Sequence, residues 1–311
     1  MKPLKILITE NIHPSLAAGL RGNGFECDES PGISYDEILQ SISKYHGIIV
    51  ATRIQIDKRL IDAAVQLKFI ARAGSGMENI DVGYAQSKGI ACINSPEGNS
   101  NSVAEHAVAL LLNVFHNITK SVSETNKGRW LTEENRVHEL EGRTIAIVGY
   151  GNTGRSFAKK LQPFNMRVLA YDKYLKGFRD EFAEESPMEK ILDETEIVSF
   201  HIPLSDETKW MVNRNYLQRF RHPIHLINTS RGKIIQHVDL LQCINDGKVL
   251  SASCDVFENE HFAEQTTEEK RVFEEMIKTR KVIFTPHVAG KSFESKKKIA
   301  EVLVKKISVF Q

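Results

Sequence analysis

The fold is indicated most clearly by the stretch Thr144-Ile145-Ala146-Ile147-Val148-Gly149-Tyr150-Gly151-Asn152-Thr153-Gly154. The apolar run from Thr144 to Val148 predicts a buried strand, and the three glycines after it have the G-x-G-x-x-G spacing of a dinucleotide-binding turn. In such a turn the first glycine makes the bend and the second lets the backbone approach a pyrophosphate, while the third allows close packing of helix on strand. The residues from Arg155 to Leu161 predict the helix whose N-terminus faces the phosphates.

Asp172 stands eighteen residues beyond Gly154, at the end of the next predicted strand. A carboxylate at this place hydrogen-bonds the ribose 2′-hydroxyl of NAD and repels the 2′-phosphate of NADP. The neighbouring Lys173 leaves some room for NADP, but the carboxylate favours NAD as the cofactor. The alternative is a structural glycine turn followed by a surface aspartate.

Short apolar runs alternate with helical patterns along the rest of the chain. The runs are continuous, which is typical of parallel strands covered on both faces. The predicted strands are residues 5–9, 47–52, 68–73, 91–94, 144–148, 167–171, 197–200, 224–228, 250–253 and 281–285. Helical patterns include one long apolar helix over 102–127 and a helix-like insert over 267–279. Two series of such units predict two doubly wound α/β domains with parallel sheets.

Composition excludes several classes of protein. The 311 residues include 41 Lys+Arg and 40 Asp+Glu, and this net charge of +1 does not favour binding to nucleic acid or to an anionic membrane. The longest apolar run, Ala107–Leu112, is too short to span a bilayer, and the N-terminus has no signal-peptide pattern. The four cysteines are scattered, so a reduced cytoplasmic protein is expected, with no metal requirement.

Polar segments follow several predicted strands, where ligands of open α/β sheets bind. They are His201-Ile202-Pro203-Leu204, Asn228-Thr229-Ser230-Arg231-Gly232, Cys254-Asp255-Val256-Phe257-Glu258-Asn259-Glu260 and Thr285-Pro286-His287-Val288-Ala289-Gly290. Together with the glycine turn, these segments resemble the D-isomer-specific 2-hydroxyacid dehydrogenases over essentially the whole chain.

Two earlier segments extend the resemblance. Residues 71–81 are similar to the family's substrate loop, and residues 94–105 to its hinge and helix start. Within the family they are most similar to D-3-phosphoglycerate dehydrogenases, in a short form without a regulatory domain. The resemblance implies a Rossmann-type NAD-binding domain over residues 98–290. It is inserted into a flavodoxin-like substrate domain formed by residues 1–97 and 291–311.

The resemblance assigns Arg231, Glu260 and His287 as the catalytic residues. An imidazole titrates near neutrality, so His287 suits proton exchange with a substrate hydroxyl, and a paired Glu260 would favour the imidazolium. Arg231 can hold a substrate carboxylate in a fork of hydrogen bonds. Glu258 is the alternative to Glu260, but the spacing of Glu260 from Arg231 and Asp255 fits the family. Without this context, each of the three would be an ordinary structural or surface residue.

The resemblance also implies which residues contact the cofactor. Besides Gly149, Gly151, Gly154 and Asp172, they are Asn152 and Thr153 at the pyrophosphate, His201 and Pro203 beside the adenosine, Thr229, Ser230, Arg231 and His287 on the nicotinamide side, Asp255 at the carboxamide, Val103 behind the ring, and Gly290. For Thr229 and Ser230, capping of the strand end explains the residues as well as a cofactor contact does.

A phosphorylated substrate needs cations beyond Arg231. Arg72 and Arg53 are candidates beside Gly74, Ser75 and Gly76 of the substrate loop, although Arg53 is as well explained as a surface charge. The first expectation is therefore NAD-dependent interconversion of 3-phosphoglycerate and 3-phosphohydroxypyruvate, as in serine biosynthesis. A reductase of glyoxylate, hydroxypyruvate or another 2-oxo acid is the alternative, and an NAD-sensing corepressor-like scaffold is an alternative of a different class. A homodimer supported by the long helix is also expected.

Overall fold

The structure, a computed structural model, describes residues 2–178 and 180–311, which divide into two compact units. Unit 1 contains the residues up to Ser100 together with Lys291–Gln311, and unit 2 contains Asn101–Gly290. Within the described ranges, every helix is too short or too polar to cross a membrane.

Among the described residues, twelve strands form the two sheets. They are β1 Lys5–Ile8, β2 Glu26–Glu29, β3 Gly47–Val50, β4 Phe69–Arg72, β5 Ala91–Ile93, β6 Thr144–Val148, β7 Arg167–Tyr171, β8 Glu184–Glu185, β9 Ile197–Phe200, β10 Ile224–Asn228, β11 Val249–Cys254 and β12 Val282–Phe284.

In the part of the chain that the structure describes, twelve α-helices flank these strands. They are α1 Ser15–Gly22, α2 Tyr35–Ser41, α3 Lys58–Ala63, α4 Val82–Ser87, α5 Pro96–Phe115, α6 Ile118–Thr125, α7 Asn152–Leu161, α8 Met188–Glu194, α9 Arg214–Gln218, α10 His237–Asn245, α11 Thr267–Lys278 and α12 Phe293–Ile307.

The sheet of unit 1 has the order β2-β1-β3-β4-β5, and all its neighbouring strands are parallel. This is the flavodoxin-type doubly wound order. Alternate residues of each strand enter opposite cores. Ile48 and Val50 pack on the side of α2, α3 and α4, whereas Ile49 packs with α1 and α12. Both faces are buried, which is why these strands are continuous apolar runs.

The sheet of unit 2 has the order β12-β11-β10-β9-β6-β7-β8, again wholly parallel. This is a Rossmann order, in which the chain changes direction across the sheet between β6 and β9. Ile145 and Ile147 face one core, and Ala146 and Val148 face the other. The prediction of two doubly wound parallel α/β domains is confirmed.

Two details of the sequence prediction were wrong. The helix predicted over 102–127 is two helices, because Asn117 has φ +50° and interrupts the chain between α5 and α6. Asparagine is one of the few residues that adopt this left-handed conformation readily. The edge strands β2 and β8 were missed because acidic residues occupy them, and only Cys27 of β2 is buried. Edge strands tolerate such residues because one side of the strand is unpaired.

Candidate active site

The glycine turn after β6 has three positions with different surroundings. Gly149 has φ +95°, and a Cβ there would lie 2.5 Å from the carbonyl oxygen of His201. A Cβ on Gly154 would lie 2.1 Å from the carbonyl oxygen of Gly149, so helix α7 packs directly on the turn. A Cβ on Gly151 would point into open space, since described atoms outside its own neighbourhood are more than 4 Å away. The turn therefore leaves its free volume at the N-terminus of α7, where Asn152 and Thr153 begin the helix.

Asp172, directly after β7, is tied to this turn. Its Oδ2 accepts a hydrogen bond of 2.9 Å from the Tyr150 N–H, and its Oδ1 accepts bonds of 2.9 Å from the N–H groups of Tyr174 and Leu175. Burial acts to raise the pKa of the carboxyl, but the three backbone donors outweigh it and the pKa is lowered. Asp172 is thus an ionised acceptor beside the turn.

Lys173, the basic residue next to Asp172 that would favour NADP, is paired with another side chain. Its ammonium pairs with the carboxylate of Glu207, in the loop after β9, and the hydroxyl of Tyr174 donates to the same carboxylate. The charge of Lys173 is therefore offset locally.

His201 and Pro203 follow β9, next to the glycine turn. The His201 N–H donates to the carbonyl of Val148 at 2.8 Å, and its Nε2 lies 2.8 Å from the hydroxyl oxygen of Ser199. Burial lowers the pKa of His201 to about 3, so its ring is neutral. Its Nδ1 is buried and receives no hydrogen bond from the described residues. Pro203 is exposed.

Thr229 and Ser230 follow β10 and differ in their surroundings. The hydroxyl and N–H of Ser230 donate to Oδ1 of Asn228 at 2.6 and 3.0 Å, an arrangement that caps the strand end. The Thr229 hydroxyl is buried without a hydrogen-bond partner among the described residues. A buried polar atom of this kind is a candidate for contact with a ligand.

Glu260 and His287 meet although they follow different strands, β11 and β12. His287 Nδ1 lies 2.8 Å from Glu260 Oε2, and 42% and 40% of the two side chains are exposed. Burial acts to raise the pKa of Glu260, but the hydrogen bond to His287 and the charges of His287 and Arg231 lower it overall. Arg231, after β10, is close enough to affect that carboxylate, and its Nη1 donates to the Ser230 carbonyl at 2.7 Å. The three residues assigned to catalysis therefore lie at one edge of the sheet.

Glu258, the alternative to Glu260, points to another element. Its carboxylate accepts a hydrogen bond from the N–H of His237, the first residue of α10, and lies 3.2 Å from Nδ1 of the same residue. The carboxylate that pairs with His287 is therefore that of Glu260.

Asp255 holds the turn that carries His287. The carboxylate, 1% exposed, accepts hydrogen bonds from the Thr285 hydroxyl at 2.6 Å and from the N–H groups of Val288 and Ala289 at 3.0 and 2.8 Å. The sequence suggested Asp255 only as a cofactor ligand, and this contact with the turn was missed.

Val103 and Gly290 lie at the two ends of unit 2. Val103 is a buried residue of α5, 8% exposed, and Gly290 follows the turn 285–289. Ser102, next to Val103, donates a hydrogen bond of 2.6 Å to the carbonyl of Ala289. The sequence did not point to Ser102, because a serine near a helix start has many ordinary roles.

The predicted substrate loop belongs to unit 1. Gly74 has φ +146°, and a Cβ there would lie 1.5 Å from Arg72 Nη1, so the guanidinium lies against this glycine. Ser95 accepts the Gly74 N–H at 3.0 Å, and the Ser75 hydroxyl donates to Asn99 at 2.7 Å, so two successive residues of the loop are held by hydrogen bonds.

Gly76 and Arg53 complete the predicted set in unit 1. Gly76 follows directly in the loop and is half-buried. Arg53 is exposed, and its Nη2 donates to the Thr9 carbonyl at 3.0 Å. Contacts of Ser95 and Asn99 with the loop were not foreseen, because they join segments that only the fold brings together.

These features of unit 2 fit a dinucleotide. Gly151 leaves room at a helix N-terminus, where backbone N–H groups favour phosphates. Asp172 supplies an ionised acceptor beside that opening. The buried hydroxyl of Thr229 is available to a ligand on the other side of the place, between β6 and β9, where the chain changes direction across the sheet.

Comparison with known proteins identifies the family. Residues 108–289 match the family model of the D-isomer specific 2-hydroxyacid dehydrogenase, NAD binding domain. The chain is 30% identical to a D-3-phosphoglycerate dehydrogenase of Archaeoglobus fulgidus over 98% of its own length, and it spans 56% of the length of that relative. It is 32% identical to a hydroxypyruvate reductase of Thermotoga maritima, with 89% of each chain covered.

A solved structure is similar over nearly the whole chain. The D-lactate dehydrogenase from Aquifex aeolicus, complexed with NAD and lactic acid, superposes with a TM-score of 0.83 at 25% identity, covering 98% of this chain and 95% of that one. The predictions of the family and of NAD as cofactor are confirmed. The chain belongs to the D-isomer specific 2-hydroxyacid dehydrogenases and is an NAD-dependent enzyme of that family.

Proposed function

We propose that this enzyme interconverts 3-phosphoglycerate and 3-phosphohydroxypyruvate, with Arg231, Glu260 and His287 as its catalytic residues. The observation that carries the chemistry is the 2.8 Å contact between His287 and Glu260 beside Arg231. The substrate part of the proposal is supported by the phosphoglycerate dehydrogenase relative and by the position of Arg72 against the substrate loop.

His287 moves the proton in this proposal. NAD, when bound, supplies the hydride chemistry. In oxidation, His287 takes the proton of the substrate hydroxyl as the hydride leaves the carbon that bears it, and in reduction it returns that proton to the oxygen. Glu260 carries a negative charge beside the ring and stabilises the imidazolium form that oxidation produces.

Arg231 binds the substrate carboxylate. A guanidinium presents a planar fork of donors that matches the two carboxylate oxygens, and its permanent charge polarises the adjacent carbonyl. This interaction is common to all 2-oxo acids. Discrimination among them therefore depends on groups that contact the rest of the substrate, for which Arg72 and Arg53 are the proposed phosphate ligands.

The test is NADH consumption with 3-phosphohydroxypyruvate, hydroxypyruvate, glyoxylate and pyruvate at equal concentrations. We expect a higher kcat/KM for the phosphorylated acid, and a selective loss of that advantage in Arg72→Gln. Arg59→Gln, an exposed arginine of α3, serves as the control. Equal or better rates with the unphosphorylated acids under saturating NADH would overturn the phosphoglycerate assignment.

A second candidate is a reductase of hydroxypyruvate or glyoxylate. It is supported by the hydroxypyruvate reductase relative, 89% of which aligns with this chain. In that case Arg72→Gln would change the rates with all four acids alike.

The proposal includes a cytoplasmic homodimer. The cysteines at positions 27, 92, 243 and 254 are free thiols, as expected in a reducing compartment. The apolar face of α5 is used within the subunit, because it packs into one core through Ala104, Ala107, Leu111 and Phe115. We therefore propose the neighbouring segment 118–137, where Trp130 is 84% exposed, as the dimer contact. Sedimentation of a 35.2 kDa particle would exclude the dimer.

A further inference from the structure

His106 of α5 makes a polar contact that the proposed chemistry does not use. Its Nε2 lies 2.9 Å from the hydroxyl oxygen of Thr285 and 3.6 Å from Asp255 Oδ1, and 22% of its side chain is exposed. The neighbouring residues Ala104 and Ala107 of the helix pack into the apolar core of unit 2. The polar ring of His106 is therefore hydrogen-bonded to Thr285, and only a small part of it contacts solvent.

The direction of these hydrogen bonds follows from the chemistry of the groups. The Thr285 hydroxyl donates to Asp255 Oδ1 over 2.6 Å, since a carboxylate oxygen acts as an acceptor. The hydroxyl has one proton, and its oxygen must accept from the histidine. His106 therefore carries a hydrogen on Nε2, and the chain of donors runs from His106 through Thr285 to Asp255.

Asp255, the end of this chain, holds the turn that bears His287. Its carboxylate accepts the N–H groups of Val288 and Ala289, and its carbonyl accepts the N–H of His287 at 2.8 Å. His287 has φ +52°, which is uncommon for a residue other than glycine and needs support from its surroundings.

Helix α5 holds the same turn at a second point. Ser102 lies one helical turn before His106, so the two side chains share a face of the helix. The Ser102 hydroxyl donates to the Ala289 carbonyl at 2.6 Å, and His106 contacts Thr285. The helix therefore contacts the turn both before and after His287.

We propose that His106 is a positioning residue for His287, acting through Thr285 and Asp255. This inference rests on the proposed role of His287. The contact with Thr285 orients the hydroxyl that binds Asp255, and Asp255 in turn fixes the backbone of residues 287–289. Loss of the contact lets the turn shift relative to the substrate, and small displacements of a reacting group reduce the rate strongly.

The test compares variants that remove or keep each donor. His106→Leu removes the donor to Thr285, and Thr285→Val removes the hydroxyl that links His106 to Asp255, whereas His106→Gln keeps a donor and Thr285→Ser keeps the hydroxyl. His116→Leu, just beyond the end of α5, is the control. With saturating NADH and the best 2-oxo acid, we expect kcat to fall about tenfold in the first pair. KM should stay near the wild-type value, because Arg231 still binds the carboxylate.

The conservative variants and the double variant give the decisive comparison. His106→Gln and Thr285→Ser should recover most of kcat, which a loss of packing alone would not allow. His106→Leu/Thr285→Val should be no slower than Thr285→Val alone, because the two residues act in series. A wild-type kcat in His106→Leu, multiplicative losses in the double variant, or no recovery in the conservative variants would overturn the proposal.

Histidine ¹⁵N NMR of the enzyme tests the hydrogen-bond chain without reference to activity. We expect His106 to show a hydrogen on Nε2, with a signal that changes in Thr285→Val and stays in Thr285→Ser. A ring with its only hydrogen on Nδ1 would overturn the inference. If His287→Ala kept full activity while the His106 signal was as expected, the proposed role of His287 would fail, and the positioning role with it, but the chain from His106 to Asp255 would stand.

Discussion

Glu260 Oε2 lies 2.8 Å from His287 Nδ1, although 27 residues separate them in the chain. A carboxylate only accepts hydrogen bonds, so Nδ1 carries the hydrogen of this pair and Nε2 is the nitrogen left for a substrate oxygen. The ends of two adjacent parallel strands, β11 and β12, bring the two residues together. The pair selects the ring nitrogen that exchanges a proton with substrate in the proposed reaction.

His287→Ala should abolish most of the activity. General acid–base catalysis by a positioned side chain is worth about 10²- to 10⁴-fold, so we expect kcat to fall by that factor. NADH oxidation with the preferred 2-oxo acid measures the loss. The dissociation constant of NADH, from its fluorescence, should change little because the glycine turn is intact. A kcat close to that of the wild type would contradict the role of His287.

Glu260→Gln and Glu258→Gln should have different effects. Glu260→Gln removes the charge beside His287, and we expect kcat/KM to fall at least about tenfold, since the acidic partner of a catalytic histidine is worth more than this in serine proteases. Glu258→Gln should instead lower the free energy of unfolding by about 1 kcal/mol, because that carboxylate binds the first N–H of α10. Urea unfolding and steady-state rates together separate the two. The same loss of rate in both variants would contradict the assignment of Glu260.

Gly151→Ala and Gly154→Ala should separate cofactor binding from folding. The Cβ at 151 meets open space, so we expect unchanged stability and at least about tenfold weaker NADH binding. The Cβ at 154 would lie 2.1 Å from the Gly149 carbonyl oxygen and should destabilise the fold by about 1–3 kcal/mol. Thermal unfolding and NADH titration measure the two effects. Tight NADH binding by Gly151→Ala would exclude this turn as the pyrophosphate site.

Asp172→Ser should relax the preference for NADH over NADPH. The change removes the negative charge that opposes a 2′-phosphate, and we expect the ratio of the two dissociation constants to shrink at least about tenfold. Asp172→Ser/Glu207→Gln should shrink it further, because Lys173 loses the carboxylate that engages it. Titration of both cofactors against the free enzyme measures the ratios, with Glu207→Gln alone as the control. An unchanged ratio in Asp172→Ser would show that selectivity arises elsewhere.

Asp172 should also contribute to stability in a defined pH range. Its pKa in the folded protein is below the ordinary value of 3.8, so the unfolded chain binds the proton more readily. The stabilising contribution is complete above 3.8 and is lost as the pH falls through the folded value. The difference in unfolding free energy between wild type and Asp172→Asn should therefore be constant from pH 6 to about 5 and shrink below 4.

Urea unfolding across this range, with Asp206→Asn in an exposed loop as the control, measures this contribution. A difference that grows as the pH falls would contradict the lowered pKa of Asp172.

The fold was largely predictable because its strands are buried on both faces. Runs such as Gly47–Val50 and Thr144–Val148 are apolar throughout, and this pattern is a property of the local sequence. The acidic edge strand β2 does not have it, and the end of α5 at Phe115 depends on the backbone conformation of Asn117, which the helical pattern does not reveal.

The amino-acid sequence was sufficient to predict the dinucleotide turn, Asp172 after β7, and the polar residues that end parallel strands. These features are local, because each needs only a strand and the few residues after it. Only the folded structure shows what engages Lys173, which turn Asp255 holds, and the contact with His287 that supports the choice of Glu260 over Glu258. Each is a contact between segments distant in the chain, as between His106 and Thr285, and its distance and direction exist only after the helices and strands have packed.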